Sequence, residues 1–341
     1  MPLKKLTLKR FTVFEELELE FASGINVFIG ENGTGKTHVM KTLYAAWQAI
    51  DPGTAFAQKL VRVFLPDDLR IGRLVRRKQG VNDASVRVVA FDGDGPEVKI
   101  AAAFNSKTKK WDAKTTGEET WEKTLAGLRA AFIPAKEILS NAYNLNAAVA
   151  VNNVSFDDTY LDVANAAKVD VSVGKNAESK RKILDQIETI IEGKVYFDSQ
   201  RDEFYLKKGN TKLEFNLIAE GIRKIALVWQ LAKNGALEKG AVLFWDEPEA
   251  NLNPIHIPTI VELLLTLQRN GVQIFIATHD YVLAKYLEIR AQESDDVAFF
   301  SLYKDGETVA CERERRFSAL RENPIMKAFD ALLDEVYDAT T

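Results

Sequence analysis

The stretch Gly30-Glu31-Asn32-Gly33-Thr34-Gly35-Lys36-Thr37 constrains this chain more than any other. It fits the pattern G-x-x-x-x-G-K-[ST]. Before it stands a short apolar run at residues 25–29, and after it Val39, Met40, Leu43, Tyr44, Trp47 and Ile50 recur at helical spacing. Strand, glycine-rich loop and helix in that order turn backbone N–H groups toward a phosphate and set the positive end of a helix behind it. The expected cofactors are ATP and Mg2+. Asn32, Gly33, Thr34 and Gly35 would wrap the phosphates, Lys36 would reach the β and γ phosphates, and Thr37 would give an oxygen to the metal.

A second chemistry-bearing strand comes late in the chain. Residues 241–245 are apolar and run into Asp246 and Glu247. A carboxylate at a strand end can hold Mg2+, and its neighbour can orient and deprotonate an attacking water, so Asp246 is assigned to the metal and Glu247 to the general base. Residues 272–278 read as the next strand and deliver His279, whose neutral imidazole could bond the γ-phosphate or the water. His38 and His256 have no such placement and read as structural. Helical patterns at residues 257–267 and 281–287 alternate with these strands, which implies a parallel sheet with helical crossovers.

Around this frame, Leu6, Leu8, Leu17, Leu19 and Phe21 alternate with polar residues, so an antiparallel β layer opens the chain. Short alternating stretches over residues 74–111, broken by Asp92-Gly93-Asp94-Gly95, extend that layer. From residue 133 the pattern predicts a largely helical insert. Ile183, Ile187, Ile190 and Ile191 mark one of its helices, and short strands follow at 195–197, 204–206 and 213–215. Helix resumes at Glu220, and a late hairpin turns at Asp305-Gly306. The final helix carries Ile325, Phe329, Leu332, Leu333 and Val336 on one face, which is expected to pack on the body of the protein or, as the alternative, to dock an effector or a second subunit.

With its phosphate loop, a later strand ending in Asp-Glu, the Asn251-Leu252-Asn253-Pro254 loop and a strand-end His279, the chain resembles ABC ATPases. The resemblance implies an α/β head with an N-terminal antiparallel β layer, a parallel-sheet P-loop core and an inserted mainly helical lobe. Residues 1–132 and 219–341 would be the two parts of the head, and 133–218 the lobe. In that family a signature, commonly LSGGQ, binds ATP held by the opposite subunit. The matching stretch is Leu217-Ile218-Ala219-Glu220-Gly221-Ile222-Arg223-Lys224, so the resemblance assigns Ala219, Glu220 and Gly221, with Asn251, to nucleotide contact. Ala219 stands where a serine is usual, and Arg223 or Lys224 could assist it. The family's glutamine loop should lie at residues 132–137, where no glutamine occurs. Hydrolysis of ATP to ADP and phosphate by a homodimer or higher homo-oligomer is what the resemblance implies.

The opening strands and Ser23-Gly24-Ile25-Asn26-Val27-Phe28 look like the heads of RecF, chromosome-maintenance and OLD ATPases rather than transporter heads. Too few residues separate Lys36 from Gly221 for a long coiled coil. Phe132-Ile133-Pro134-Ala135-Lys136-Glu137-Ile138-Leu139-Ser140 and Ser155-Phe156-Asp157-Asp158-Thr159-Tyr160 are similar to stand-alone prokaryotic ATPases of antiphage defence, such as the AriA type of PARIS systems. That similarity implies a sensor or scaffold beside a separately encoded effector protein.

Charge and composition trim the alternatives. A net charge of −4 carries no global nucleic-acid signature, so DNA stays open as a partner only through the local run Arg73, Arg76, Arg77 and Lys78. The other readings are a RecF-like DNA repair or DNA-end-binding ATPase and, less favoured, a transport subunit. Cys311 is the single cysteine, which rules out an intramolecular disulfide or a Cys-based zinc site and fits a cytoplasmic setting. No apolar run approaches the roughly 18 residues of a membrane helix, so no membrane partner is expected.

Overall fold

The computed structural model describes residues 3–91, 95–151, 155–169 and 178–340. Alternating apolar residues give β1 (Leu3–Phe11) and β2 (Phe14–Glu20), paired antiparallel with Leu6 opposite Leu19 and Leu8 opposite Leu17. β3 (Ile25–Gly30) is buried throughout and runs through the glycine loop into α1 (Lys36–Gln48). A helix that the sequence reading did not foresee, α2 (Phe56–Phe64), lies against α1. β4 (Asp83–Phe91), β5 (Glu97–Asn105) and β6 (Lys114–Thr116) complete the first sheet in the order β2-β1-β4-β5-β6, all antiparallel. The turn expected at Asp92, Gly93 and Asp94 lies outside the described residues.

After α3 (Glu118–Leu125), β7 (Ala130–Ile133) enters a second sheet. The chain then builds α4 (Leu145–Ala150), α5 (Asp158–Lys168) and α6 (Glu178–Ile191), followed by β8 (Lys194–Asp198), β9 (Glu203–Lys208) and β10 (Thr211–Glu214) as a small antiparallel sheet. α7 (Glu220–Lys233), β11 (Val242–Asp246), α8 (Ile257–Arg269), β12 (Gln273–Ala277) and α9 (Tyr281–Arg290) then alternate. The hairpin β13 (Val297–Asp305) and β14 (Thr308–Glu314) and the helix α10 (Pro324–Thr340) finish the described chain.

The second sheet has the order β14-β13-β3-β12-β11-β7, parallel except for β14 at its edge. Helices cover one face and the antiparallel layer with α1 covers the other, so its strands are continuously apolar rather than alternating. Pleating sends Leu243, Trp245, Ile274 and Ile276 into one core and Phe244 and Phe275 into the other. On the α1 side one phenylalanine per strand forms a row from Phe132 through Phe244, Phe275 and Phe28 to Phe300. Successive ring centroids stand 6.0, 5.1, 6.4 and 5.1 Å apart. Each fully buried ring contributes about 1.5–3 kcal/mol, so this row ties the five parallel strands together at the level where their ends must line up.

The last helix departs from expectation. Ile325 is buried and Phe329 stacks on Tyr281 at 4.0 Å, but Leu332, Leu333 and Val336 stay half exposed. Only the first turns pack on the body, because α9 and the neighbouring Phe317 offer apolar cover there and none farther along. Among the described residues no helix is long and apolar enough to cross a membrane.

Candidate active site

The parallel strands set their carboxyl ends on one edge, where such sheets hold ligands. β3 ends at Gly30, β11 at Asp246, and Thr278 and His279 follow β12. The loop after β3 needs glycine for its shape: Gly30, Gly33 and Gly35 have φ of 143°, 81° and 91°. Nothing lies within 4 Å of where a Cβ on Gly33 would stand, so that part of the loop is open, whereas a Cβ on Gly35 would strike Phe14 and Val13. The Lys36 ammonium donates to the Gly30 and Glu31 carbonyls at 2.8 and 3.0 Å, and burial pushes its pKa down to about 8 against the pull of Asp246 and Glu247.

Thr37 donates its hydroxyl to Asp246 Oδ2 at 3.0 Å, joining loop and strand end. Burial raises the Asp246 pKa, Thr37 opposes it and Glu247 adds to it. One hydroxyl and one carboxylate side by side suit Mg2+, which keeps most of its oxygen shell from phosphates and water. Among the described residues there is no cluster of three or more His, Cys, Asp or Glu built to hold a metal alone.

Glu247 is held in the left-handed region at φ 49°, a strain of roughly 1–3 kcal/mol for a residue with a Cβ. Three bonds fix it: its N–H donates to Ala277 at 2.9 Å, and its carbonyl accepts from Ala250 at 3.1 Å and from Lys224 Nζ at 2.8 Å. His279 is exposed at the same edge, and partial desolvation together with Lys36 holds its pKa below the ordinary imidazole value, so the ring is neutral at pH 7. Glu249 accepts from the Thr278 hydroxyl at 2.7 Å and from the His279 N–H at 3.2 Å, anchoring the loop that carries the histidine.

Ala219 is the exposed N-cap of α7, with no side-chain capping bond, and Glu220 begins the helix. Gly221 is buried against its own chain, since a Cβ there would meet the Asn251 carbonyl at 2.3 Å. Asn251, also at positive φ (62°), is exposed. Arg223 and Lys224, which the sequence offered as possible helpers at a phosphate, are engaged within the chain. Arg223 pairs with buried Glu137 at 2.7 Å and bonds two backbone carbonyls, and Lys224 is 1% exposed. Lys36, Thr37, Asp246, Glu247 and His279 are thus brought together, while Ala219, Glu220 and Gly221 lie at the start of α7 beside Asn251.

Beside Gly33 a cleft of about 740 Å3 opens, lined by His38, Phe64, Arg76 and Lys304 among others. The basic run is largely spent within the chain. Arg73 meets Asp67 at 2.6 Å, Lys78 meets Glu15 at 2.9 Å, and Arg76 donates to the Val13 and Glu307 carbonyls. Glu249 and Glu137 were missed from the sequence because each meets a partner distant in the chain, and no local spacing marks them; Lys224 was singled out, but for a different role.

The family model described as "AAA domain, putative AbiEii toxin, Type IV TA system" matches residues 134–285, less than half of the chain. The DNA replication and repair protein RecF of Streptococcus gordonii is 30% identical over 90 residues, 26% of this chain and 25% of that protein. RecF of Klebsiella pneumoniae is 30% identical over 145 residues, 42% of this chain and 35% of RecF. The DNA double-strand break repair Rad50 ATPase of Archaeoglobus fulgidus is 36% identical over 61 residues, 18% and 7% of the two chains. The chain spans about a quarter of the length of the first of these curated relatives. The solved SmcHead bound to the C-winged helix domain of ScpA superposes with a TM-score of 0.57 over 92% of this chain and 97% of that one, at 12% identity. The Smc head domain with an extended coiled coil derived from Pyrococcus furiosus gives 0.55 over 99% and 100%, at 11% identity. The fold is therefore that of an ABC-type ATPase head, and parts of the sequence are similar to RecF and Rad50 ATPases.

Proposed function

We propose that this chain binds and hydrolyses ATP with Mg2+ between two copies of itself, and works as a sensor or scaffold subunit of prokaryotic antiphage defence beside a separately encoded effector. The observation that carries the ATPase reading is the convergence of Lys36, Thr37 and Asp246 at one sheet edge, with Thr37 Oγ1 3.0 Å from Asp246 Oδ2. Thr37 and Asp246 would hold Mg2+, which when bound neutralises charge on the β and γ phosphates. Lys36 supplies the counter-charge of the loop, Glu247 takes the proton of the attacking water, and neutral His279 bonds the γ-phosphate side. Strain at Glu247 is consistent with a backbone fixed for that task rather than for stability.

The two-copy arrangement is supported by the exposure of Ala219 and Asn251 at the start of α7 and in the loop after β11. Near them Leu217 and Ile255 are 75% and 74% exposed, apolar groups suited to a symmetric contact that repeats each surface twice. The effector reading draws on the two tracts at residues 132–140 and 155–160 and on the family model that names a TA system. A second reading, a RecF-like DNA-end-binding ATPase, is favoured by the RecF relatives. The internal pairing of Arg73, Arg76 and Lys78 weighs against a DNA face at that run.

The test is complementation. Lys36→Ala and Ala219→Asp each lower ATPase activity, and mixing them restores part of it, because a mixed pair gathers both lesions in one composite site. Full activity from dilute, demonstrably monomeric protein would sink the two-copy reading.

A further inference from the structure

Glu247, assigned above to the general base, has a backbone that its own sequence does not favour. Its φ is 49°, and Pro248 follows it, whereas a residue before proline ordinarily takes an extended backbone with negative φ. Bonds from elsewhere hold it there. Its N–H donates to the Ala277 carbonyl at 2.9 Å, which fixes one end of the residue. At the other end its carbonyl accepts from the Ala250 N–H at 3.1 Å, so the turn is closed and that oxygen is already satisfied. The second donor on the same carbonyl, Lys224 Nζ at 2.8 Å, is therefore not needed to spare a buried polar atom.

Lys224 reaches this carbonyl from α7. It follows Gly221 by three residues and shares a helix face with it, and a Cβ on Gly221 would stand 2.3 Å from the Asn251 carbonyl, so that face lies directly on the loop after β11. Arg223 ties the same turn of helix to Glu137 at 2.7 Å, so the lysine stem starts from a fixed backbone. The side chain is 1% exposed, and none of the described carboxylates forms an ion pair with it. Burial pushes its pKa down, against the pull of Glu249 and Glu247. A buried ammonium with a carbonyl for its acceptor is a poor source of stability, and an apolar side chain of like length ordinarily serves a fold as well or better. Lys224 is thus better explained by the group it holds than by what it adds to the fold.

We propose that Lys224 is a positioning residue for hydrolysis: its ammonium, acting through the Glu247 carbonyl, holds that backbone so that the Glu247 carboxylate stays aimed at the attacking water. The inference rests on the ATPase reading above and deepens it. It gives Lys224 a task inside its own chain, at the base, in place of contact with a phosphate.

Lys224→Met, which keeps the length of the stem and removes its N–H donors, separates this role from a structural one. In the full chain with ATP and Mg2+, kcat should fall about ten- to a hundredfold, the scale set by a small misplacement of a catalytic group. The KM for ATP should stay within about twofold, because the interaction acts on the reaction and not on substrate binding. The urea midpoint should be unchanged or higher, since a buried charge has been replaced by an apolar group. In Glu247→Gln, where the base is already gone, adding Lys224→Met should lower the residual single-turnover rate by less than about twofold, because groups that act as one unit are not additive. An unchanged kcat in Lys224→Met overturns the role of Lys224, and so does a chain that loses stability and activity together. An equal fall of rate in the Glu247→Gln background overturns it as well, since Lys224 would then act elsewhere. A wild-type chain that hydrolyses no ATP overturns the ATPase reading itself, and this inference with it.

Discussion

Two glycine-bearing corners of the molecule look alike in sequence and differ in what surrounds them. At the phosphate loop, space is left over: no atom lies near a Cβ on Gly33, and next to the loop the His38 Nδ1 is buried with no hydrogen-bond partner in the protein. At the start of α7, space is filled: Gly221 touches the Asn251 backbone, Arg223 is tied to Glu137, and Lys224 reaches the Glu247 carbonyl. Around Gly33 the first corner stays open to something from outside, whereas Gly221 in the second answers its own chain, with Ala219 and Asn251 exposed beside it. A glycine in a motif can therefore answer a neighbouring backbone as readily as a ligand.

The largest effect that could break this contrast is at Lys36. Lys36→Ala should lower the affinity for ATP with Mg2+ by about 100-fold, the order expected when one partner of a close charge contact is truncated. Titration calorimetry showing unchanged affinity would mean that the open corner is not a phosphate site. Next comes the pH response of the same corner. Burial and Lys41 push the His38 pKa from 6.5 down to about 4. The unfolded chain takes up a proton below about pH 6.5 that the folded chain refuses until about pH 4, so folding stability falls across that window. The loss should be roughly 2–3 kcal/mol. Urea midpoints at pH 7 and pH 4.5 should differ less in His38→Gln; an equal acid loss would show that His38 is not the buried base.

At the filled corner, Gly221→Ala should destabilise the chain by about 1–3 kcal/mol, since the added methyl meets a backbone carbonyl that cannot swing away. A helix-propensity gain of less than about 1 kcal/mol does not offset this. An unchanged urea midpoint would reclassify Gly221 as a ligand glycine. The smallest effect is the most discriminating. Ala219→Asp adds an N-cap side chain and an acid at a helix start, and should stabilise the single chain by about 1 kcal/mol. The same carboxylate would face a partner's phosphate, so a higher melting temperature should accompany slower hydrolysis; a rise in both would remove Ala219 from the nucleotide contact.

What the sequence made legible was local. The loop octet, the Asp246-Glu247 strand end and the alternation of strand and helix after residue 241 are each written within about ten residues, and each element stands where its periodicity predicts. The three short strands before α7 were legible for the same reason. α2 was not, because its nine residues mix helical spacing with Val61 and Val63, which read equally as strand. The partners that occupy Arg223 and Lys224 were not legible, because charge in a sequence says nothing about which carboxylate or carbonyl folding brings opposite. The C-terminal helix shows the limit of an amphipathic stripe: it predicts that cover is wanted, and here the body covers Ile325 and Phe329 but not Leu332 or Val336.

The position of β3 within its sheet has a consequence for how the protein is made. Ile25 lies opposite Ile274 on one side and Val297 on the other, so the strand that carries the phosphate loop has no sheet neighbour until β12 is synthesised and keeps one bare edge until β13 follows. The antiparallel pair β1–β2 can close as soon as it leaves the ribosome, but β3 must wait for a strand that begins only at Gln273, with both edges bare and Val27 and Ile29, which face the other core, uncovered. A ribosome stalled before Val297 would leave that segment open to pairing with other chains, so the nascent protein should depend on chaperone cover longer than its early strands alone would suggest.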